Sequence, residues 1–337
     1  MMKISFTHAS LLKGAGLGAA VLGLSLAATT AAAQEYPTKP ITIVAPYGAG
    51  GASDLASRTL AGVMPNYIGQ PMMVINRAGA GGVTGSAFVA KGKADGYTLL
   101  LARIGSQSVS PAMKSRMPYK YDDFTMIGIL ELNPVICATA ADKPYKTLED
   151  IIDAVRANPG KLSYSSAGVG SFLHITVPFV LDTAGIPNAN KAMKHIPYKG
   201  GGNAATAAVG GHVDFICTNS GALSGHIQSG KLRALLVTTK ERLSWAPDVP
   251  TVSELGYPEL EKLIGWSGLF GPPGMDPAVV KKLRDALQEV KDDKAWNKFT
   301  KALGSVPYIL DGPDTKDFVD TQYNAFKALV EKLNMKI

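Results

Sequence analysis

The hydrophobic pattern changes between two periods along the chain and predicts strands that are followed by helices. Residues 41–45 form a continuous apolar run that is typical of a buried strand. After a polar turn, apolar side chains recur at helical spacing from Ala56 to Tyr67. Two further apolar runs, at 71–76 and 97–102, lie on either side of a second helical segment. This alternation predicts an α/β fold with a parallel sheet and helices on both of its faces.

The second half of the chain repeats the alternation. Thr147 is placed to cap a helix, with Glu149 and Asp150 in the first turn, where the helix dipole favours acidic side chains. The pattern predicts further strands at 126–130, 135–138, 162–166, 213–217, 232–237 and 266–270. It also predicts two long helices, at 276–290 and 315–334. The proline-rich segment 247–258 is a suitable place for the chain to cross between two domains.

Two glycine-rich turns stand between a predicted strand and a predicted helix, at 46–54 and at 165–171. Such a turn directs several unpaired backbone N–H groups to one point, where the helix dipole adds about half a positive charge. Each turn is therefore a candidate anion site. If the two turns face each other across a cleft, one carboxylate can accept hydrogen bonds from both. Hydroxyl groups in the turns can add uncharged donors, and they belong to Ser53, Ser165, Ser166 and Ser171.

The first 33 residues have the parts of a secretory signal peptide. Lys3 and Lys13 make the beginning of the chain basic, residues 14–28 are apolar, and small residues end at Ala33, just before Gln34. We therefore predict export to the periplasm, with cleavage near that point. Cleavage lowers the formal net charge from +7 to +5, because it removes two lysines and no acidic residue. So small a positive excess suits an anionic small molecule and does not indicate nucleic-acid binding.

The sequence lacks the motifs of several common enzyme classes. Neither the serine-hydrolase motif G-x-S-x-G nor a phosphate-binding loop that ends in Gly-Lys-Ser/Thr occurs. Gly48 and Gly50 begin a pattern that is close to the dinucleotide-binding motif, but Ser53 replaces its third glycine and Asn76 replaces the acidic ribose partner. The four histidines that remain after cleavage show no metal-ligand spacing. We therefore predict no catalytic residues, no metal and no cofactor.

The two cysteines, Cys137 and Cys217, each lie in an apolar, strand-like run. In an oxidising compartment they can form a disulfide bond, and as buried thiols they can remain free. The sequence leaves both alternatives open.

Several motifs, taken together and in this order, resemble one family. They are Ala45-Pro-Tyr-Gly-Ala-Gly-Gly-Ala-Ser-Asp54, Asn76-Arg-Ala-Gly-Ala-Gly-Gly82, Tyr164-Ser-Ser-Ala-Gly-Val-Gly-Ser171 with His174, Gly210-Gly-His-Val-Asp214 and Val249-Pro-Thr-Val-Ser-Glu-Leu-Gly-Tyr257. The chain resembles the periplasmic solute receptors of the tripartite tricarboxylate transporter (TTT) group, the Bug or TctC-like family. The resemblance implies a type II periplasmic-binding-protein fold, in which two Rossmann-like lobes close about a hinge on a ligand in the interlobe cleft.

The resemblance also implies the site residues. One wall of the cleft carries Tyr47, Gly48, Ala49, Ser53 and Asp54, and the other carries Ser166, Ala167, Gly170, Ser171 and His174. Asp54 is expected to cap its helix or hold water, because a second negative charge would repel an anionic ligand. Arg103 departs from the family pattern at the end of the third strand, where it can pair with a second carboxylate.

These expectations give one prediction of organisation and function. Lobe 1 comprises residues 35–134 plus 255–337, and lobe 2 comprises residues 135–254. The protein is predicted to be a monomeric receptor and not an enzyme. It is expected to capture a dicarboxylate, for example an aromatic one such as terephthalate, and to deliver it to a two-component TTT permease. Two alternatives stay open: an exported enzyme that acts on a carboxylate or its ester, and a receptor that feeds a sensor kinase.

Overall fold

The computed structural model describes residues 36–337, so the predicted signal peptide, residues 1–33, lies outside the described residues. The strands of the described part are β1 (Ile41–Ala45), β2 (Met72–Asn76), β3 (Thr98–Arg103), β4 (Thr125–Ala140), β5 (Ser163–Ser166), β6 (Lys194–Pro197), β7 (Phe215–Asn219), β8 (Leu232–Val237), β9 (Ile264–Gly271) and β10 (Val306–Asp311). The α-helices are α1 (Ala52–Val63), α2 (Pro65–Ile68), α3 (Val83–Ala90), α4 (Ser110–Met113), α5 (Leu148–Ala157), α6 (Phe172–Thr183), α7 (Gly201–Val209), α8 (Ser220–Gln228), α9 (Pro277–Asp292), α10 (Lys294–Ala302) and α11 (Gly312–Lys332).

The strands join one sheet in the order β2-β1-β3-β9-β4-β7-β5-β6, and β8 and β10 also pair with β4. Strand β1 is parallel to β2 and β3, and β5 is parallel to β6 and β7. Every pair that contains β4 or β9 is antiparallel. The predicted parallel sheet is therefore confirmed at its two ends and wrong in the middle. The chain enters the second half of the sheet along β4 and returns along β9, so these two strands run in opposite directions.

Strand β4 belongs to both halves of the sheet. Its residues 125–134 pair with β9, and its residues 135–140 lie beside β7 and β8. We call β1–β3, β9, β10 and the first part of β4 the first sheet half, and β5–β8 and the rest of β4 the second sheet half. The prediction of two separate strands at 126–130 and 135–138 is wrong, because the polar Glu131 is buried and hydrogen-bonded by Ser267 on β9 instead of ending the strand.

Cys137 and Cys217 form a disulfide bond between β4 and β7. The two residues lie directly opposite each other in the antiparallel pair, with 4.0 Å between their Cα atoms. Their partnership depends on the register of two strands that are 80 residues apart, which is why the sequence alone left it open. A disulfide is consistent with an oxidising compartment.

Thr147 caps α5 as predicted. Its hydroxyl accepts a hydrogen bond from the backbone N–H of Asp150, and the Asp150 carboxylate in turn accepts one from the N–H of Thr147. We expect Thr147→Ala to lower the free energy of unfolding by about 1 kcal/mol, because it leaves a helix N–H without its partner. Urea denaturation measures the change. Ligand affinity should stay the same, and a loss of affinity would show that α5 acts on the site.

Candidate functional site

A narrow cavity lies where the carboxyl ends of strands from the two sheet halves meet. In an α/β sheet this edge is the usual place for a ligand. The cavity wall is formed by Tyr47, Gly51, Ala52, Ser53, Arg103, Ile104, Gly105, Ala167, Ser171, Phe172, Leu173, Gly201, Thr218 and Asn219. The cavity offers about 30 Å³ to the centre of a water-sized sphere. That space holds roughly two water molecules, or one group of similar size such as a carboxylate.

The turn between β1 and α1 is built to leave its helix N-terminus open. Gly50 has a φ of 74°, which favours glycine, and Gly51 at the N-cap position has no side chain that could cap α1. The carboxylate of Asp54 accepts hydrogen bonds from the Gly50 N–H, Arg58 and Asn76. Burial by itself would raise the pKa of Asp54, but these hydrogen bonds lower it below its ordinary value. Asp54 is therefore ionised and stabilises the turn through these hydrogen bonds.

The turn between β5 and α6 has the same design. Gly170 has a φ of 76°, and Ser171 at the N-cap position of α6 makes no capping hydrogen bond. The N–H of Gly170 donates to Nδ1 of His174 at 3.2 Å, and the hydroxyl of Ser166 pairs with Nε2 of His195. His174 and His195 thus stabilise the turn through hydrogen bonds from outside the cavity wall.

Two more helices point their N-termini at the same cavity. Gly201 begins α7 and Asn219 precedes α8, and neither helix has a side-chain cap. Four uncapped N-termini, those of α1, α6, α7 and α8, therefore border one cavity. Their unpaired N–H groups and dipoles favour an anion. Neither α7 nor α8 was predicted to reach the site from the sequence, although glycines after β6 and the polar Thr218 and Asn219 at the end of β7 are the same strand-to-helix signal.

Two hydroxyl groups in the cavity wall have no hydrogen-bond partner within the described part of the chain. They are Oγ of Ser53, at the start of α1, and Oγ of Ser171, at the start of α6. Both side chains are buried, with 3% and 1% of their surface exposed. A buried polar group without a partner costs free energy, so each hydroxyl needs water or a ligand. The two serines face the cavity from opposite sheet halves.

Among residues 36–337, Arg103 is the only charged side chain in the cavity wall. Its guanidinium donates from Nη1 to the hydroxyl of Ser267 at 2.5 Å and from Nη2 to Oδ1 of Asn219 at 2.8 Å. Glu131 lies 3.8 Å from Nη1 and offsets the positive charge. Burial lowers the pKa of Arg103 below its ordinary value. Two of its five N–H donors are thus fixed by the protein.

Tyr47 closes one side of the cavity. Its hydroxyl donates to the carbonyl oxygen of Gly81 at 2.8 Å, and burial raises the pKa of the phenol. The ring fits because the neighbouring positions are glycines: a Cβ on Gly82 would lie 2.7 Å from Cζ of Tyr47, and a Cβ on Gly105 would strike its hydroxyl. Tyr47 is therefore a neutral, fixed wall of the site.

The structure brings together only part of the predicted set. Tyr47, Ser53, Arg103, Ala167 and Ser171 line the cavity. The others support the turns from outside the cavity wall, and they are Gly48, Ala49, Asp54, Ser165, Ser166, Gly170 and His174. The hydroxyl of Ser165, for example, donates to the carbonyl oxygen of Ala204 on α7, and the imidazole of His174 faces Gly170.

Backbone meets backbone where the two sheet halves touch beside the cavity. The N–H of Gly48 donates to the carbonyl oxygen of Lys199 at 2.9 Å. A Cβ on Gly202 would lie 2.8 Å from the carbonyl carbon of Gly50 and 2.9 Å from the oxygen of Ala49. Glycine at this position therefore permits the close approach of the two halves.

His174 and His195 stack behind the second turn, with 3.9 Å between their ring centroids. Burial and the charge of Lys114 lower the pKa of His174 to about 4. Burial and the neighbouring His174 lower the pKa of His195 to about 3. Both rings are therefore neutral at pH 7.

Because the pKa values of both histidines are lowered, we expect the folded protein to lose stability in acid. The unfolded chain takes up protons at both histidines near pH 6.5, whereas the folded chain takes them up only near pH 4 and below. We expect the free energy of unfolding to decrease from pH 6.5 toward pH 4, as measured by urea denaturation. His195→Asn should flatten this decrease, and an unchanged slope would contradict the assignment.

Two negative findings concern residues 36–337. No group of three or more His, Cys, Asp and Glu side chains in this range is arranged to hold a metal ion. None of the helices in the same range is both long and apolar enough to span a bilayer.

Comparison with known proteins identifies the family. The model of the tripartite tricarboxylate transporter family receptor, TctC, matches residues 56–335. BugT of Bordetella pertussis is 33% identical over 325 residues, which cover 94% of this chain and 98% of BugT. The structure of the periplasmic binding protein BugD is 30% identical, with a TM-score of 0.83 over 89% of this chain and 99% of BugD. MatC from Rhodopseudomonas palustris, solved with bound malate, is 26% identical, with a TM-score of 0.80 over 88% of this chain and 100% of MatC. The chain therefore has a periplasmic-binding-protein fold and belongs to the tripartite tricarboxylate transporter receptors, the TctC or Bug family of solute-binding receptors.

Proposed function

We propose that this protein captures an organic carboxylate in the cavity between its two sheet halves. One observation carries the proposal: the hydroxyls of Ser53 and Ser171 are buried, have no partner among the residues that the structure describes and face one cavity from two uncapped helices. A carboxylate has two oxygens and about four acceptor sites, so it can satisfy both hydroxyls and several helix N–H groups at once. Each such hydrogen bond to a charged group contributes about 1.5–3 kcal/mol.

The electrostatics of the cavity support a singly charged head group. The dipoles of α1, α6, α7 and α8 supply positive potential without a free cation, because Glu131 offsets Arg103. In such a site the fixed helix dipoles hold the carboxylate, and no separate cation is needed to balance its charge.

We propose further that the ligand is a dicarboxylate. Arg103 has N–H donors beyond the two that the protein uses, and they suit a second carboxylate. The relative MatC was solved with bound malate, which is a dicarboxylate. The ring of Tyr47 in the cavity wall also suits an aromatic ligand such as terephthalate.

We propose that the cavity opens to admit the ligand, because the space in the structure fits one carboxylate group and not a whole dicarboxylate. We propose that residues 35–134 plus 255–337 and residues 135–254 move as lobes about β4, which belongs to both sheet halves. The receptor would act as a monomer in the periplasm, where BugD is described, and would deliver its ligand to a TTT permease.

Calorimetric titration of the purified protein tests this function. The panel contains the dicarboxylates malate, adipate and terephthalate and the monocarboxylates butyrate and benzoate. We expect at least one dicarboxylate to bind at micromolar concentration, to bind more tightly than the monocarboxylates, and to be recovered unchanged. Equal affinity for monocarboxylates, or no loss of affinity in Arg103→Ala, would contradict the dicarboxylate assignment. Turnover of a bound compound would favour the enzyme alternative.

A further inference from the structure

Asn219 occupies the N-cap position of α8 but does not cap the helix. Asparagine is among the best N-cap residues, because its side-chain oxygen can accept a hydrogen bond from the second or third N–H of the helix. Here Oδ1 accepts from Nη2 of Arg103 at 2.8 Å instead, and Nδ2 donates to the carbonyl oxygen of Asn133 at 3.3 Å. The side chain is thus held away from the N–H groups of its own helix.

The residues that hold Asn219 are themselves fixed. Nη1 of Arg103 donates to Ser267, and Ser267 donates to Oε1 of Glu131 at 2.7 Å. All three residues are buried, with at most 3% of their surface exposed. Gly265 on β9 provides the room, because a Cβ there would strike Nδ2 of Asn219. A network anchored in the first sheet half thereby sets the position of a side chain in the second.

We infer that Arg103 is a positioning residue that keeps the N-terminus of α8 open to the ligand by holding Asn219 off it. The inference rests on the proposed carboxylate function and adds a role to Arg103 beyond contact with a second carboxylate. The unpartnered hydroxyls of Ser53 and Ser171 lie in the same cavity wall as Asn219, so the N–H groups of α8 are directed to a site that already requires a ligand. Because the Arg103–Asn219 hydrogen bond crosses between the sheet halves, it also favours the closed arrangement.

If Arg103 no longer holds Asn219, Oδ1 of Asn219 can accept hydrogen bonds from the N–H groups of Gly221 and Ala222 and cap α8. An N-cap hydrogen bond of this kind changes the local equilibrium by about fivefold. The ligand then loses these donors or has to displace the cap.

The test uses Arg103→Lys, which keeps the charge beside Glu131 but has one nitrogen in place of the two that donate to Ser267 and Asn219. Hydrogen exchange of the ligand-free protein is the first readout. We expect the amides of Gly221 and Ala222 to exchange about fivefold more slowly in Arg103→Lys than in the natural sequence. The double variant Arg103→Lys with Asn219→Gly should return to the faster rate, because glycine has no side chain to form the cap.

Malate titration is the second readout. Arg103→Lys should weaken malate binding, and the double variant should recover the part of the loss that comes from the capped helix. Unchanged exchange at Gly221 and Ala222 in Arg103→Lys, or no recovery in the double variant, would overturn the inference. If malate does not bind even the natural protein, the exchange experiment still decides the role of Arg103, while the proposed choice of ligand fails separately.

Discussion

Replacement of Gly202 by alanine is expected to weaken carboxylate binding by about 5- to 150-fold, which is the effect of about 1–3 kcal/mol of overpacking. The new methyl group would lie 2.8 Å from the carbonyl carbon of Gly50 and 2.9 Å from the oxygen of Ala49. Both atoms belong to the backbone of the opposite sheet half and cannot rotate away. Gly202 lies in the first turn of α7 and has no positive φ, so alanine is compatible with its conformation when the halves are apart.

Gly225→Ala is the matched control. Gly225 lies within α8, and a Cβ there meets no atom within 4 Å. Calorimetry measures affinity, and small-angle X-ray scattering measures the decrease in radius of gyration on ligand binding. We expect Gly225→Ala to bind and contract normally, whereas Gly202→Ala should stay extended. Normal contraction of Gly202→Ala would show that the halves do not approach each other at this point.

The second large effect is expected from Ser53→Ala combined with Ser171→Ala. Each substitution removes one uncharged donor to the carboxylate, and the pair should lower affinity by at least about 100-fold, since a hydrogen bond to a charged group contributes about 1.5–3 kcal/mol. The thermal midpoint of the ligand-free protein should not fall. The hydroxyls are buried without a partner, so their removal costs the free protein no hydrogen bond.

Loss of binding without loss of stability separates a ligand role from a structural one. Ser57→Ala serves as the control, because Ser57 is also buried in α1 but donates to the carbonyl oxygen of Ser53 within the helix. Its removal should leave affinity unchanged. A double Ser53/Ser171 variant that binds normally but melts earlier would contradict the proposed site.

Local patterns determined much of the fold. Apolar runs and helical spacing identified β1, α1, β3, α5, α6, α9 and α11 close to their observed bounds. Glycine-rich turns after β1 and β5 identified two of the four helix N-termini at the cavity, because a strand, a flexible turn and a helix are contiguous in the chain. The same signals placed Ser53 and Ser171 in the candidate site, and the family resemblance added Tyr47. The structure places all three in the cavity wall.

Tertiary structure decided what depends on residues that are distant in the chain. The disulfide between Cys137 and Cys217 follows from the register of β4 against β7, and the continuous β4 follows from the partners that Glu131 finds on β9. The position of Arg103 at a strand end was predictable, but its hold on Asn219, 116 residues further along the chain, was not. Hydrophobic periodicity reports which face of an element is buried, and it contains no information on which buried polar groups will meet. The sequence thus determined the two turns that can bind a carboxylate, and only the packing of the two sheet halves against each other made them one cavity.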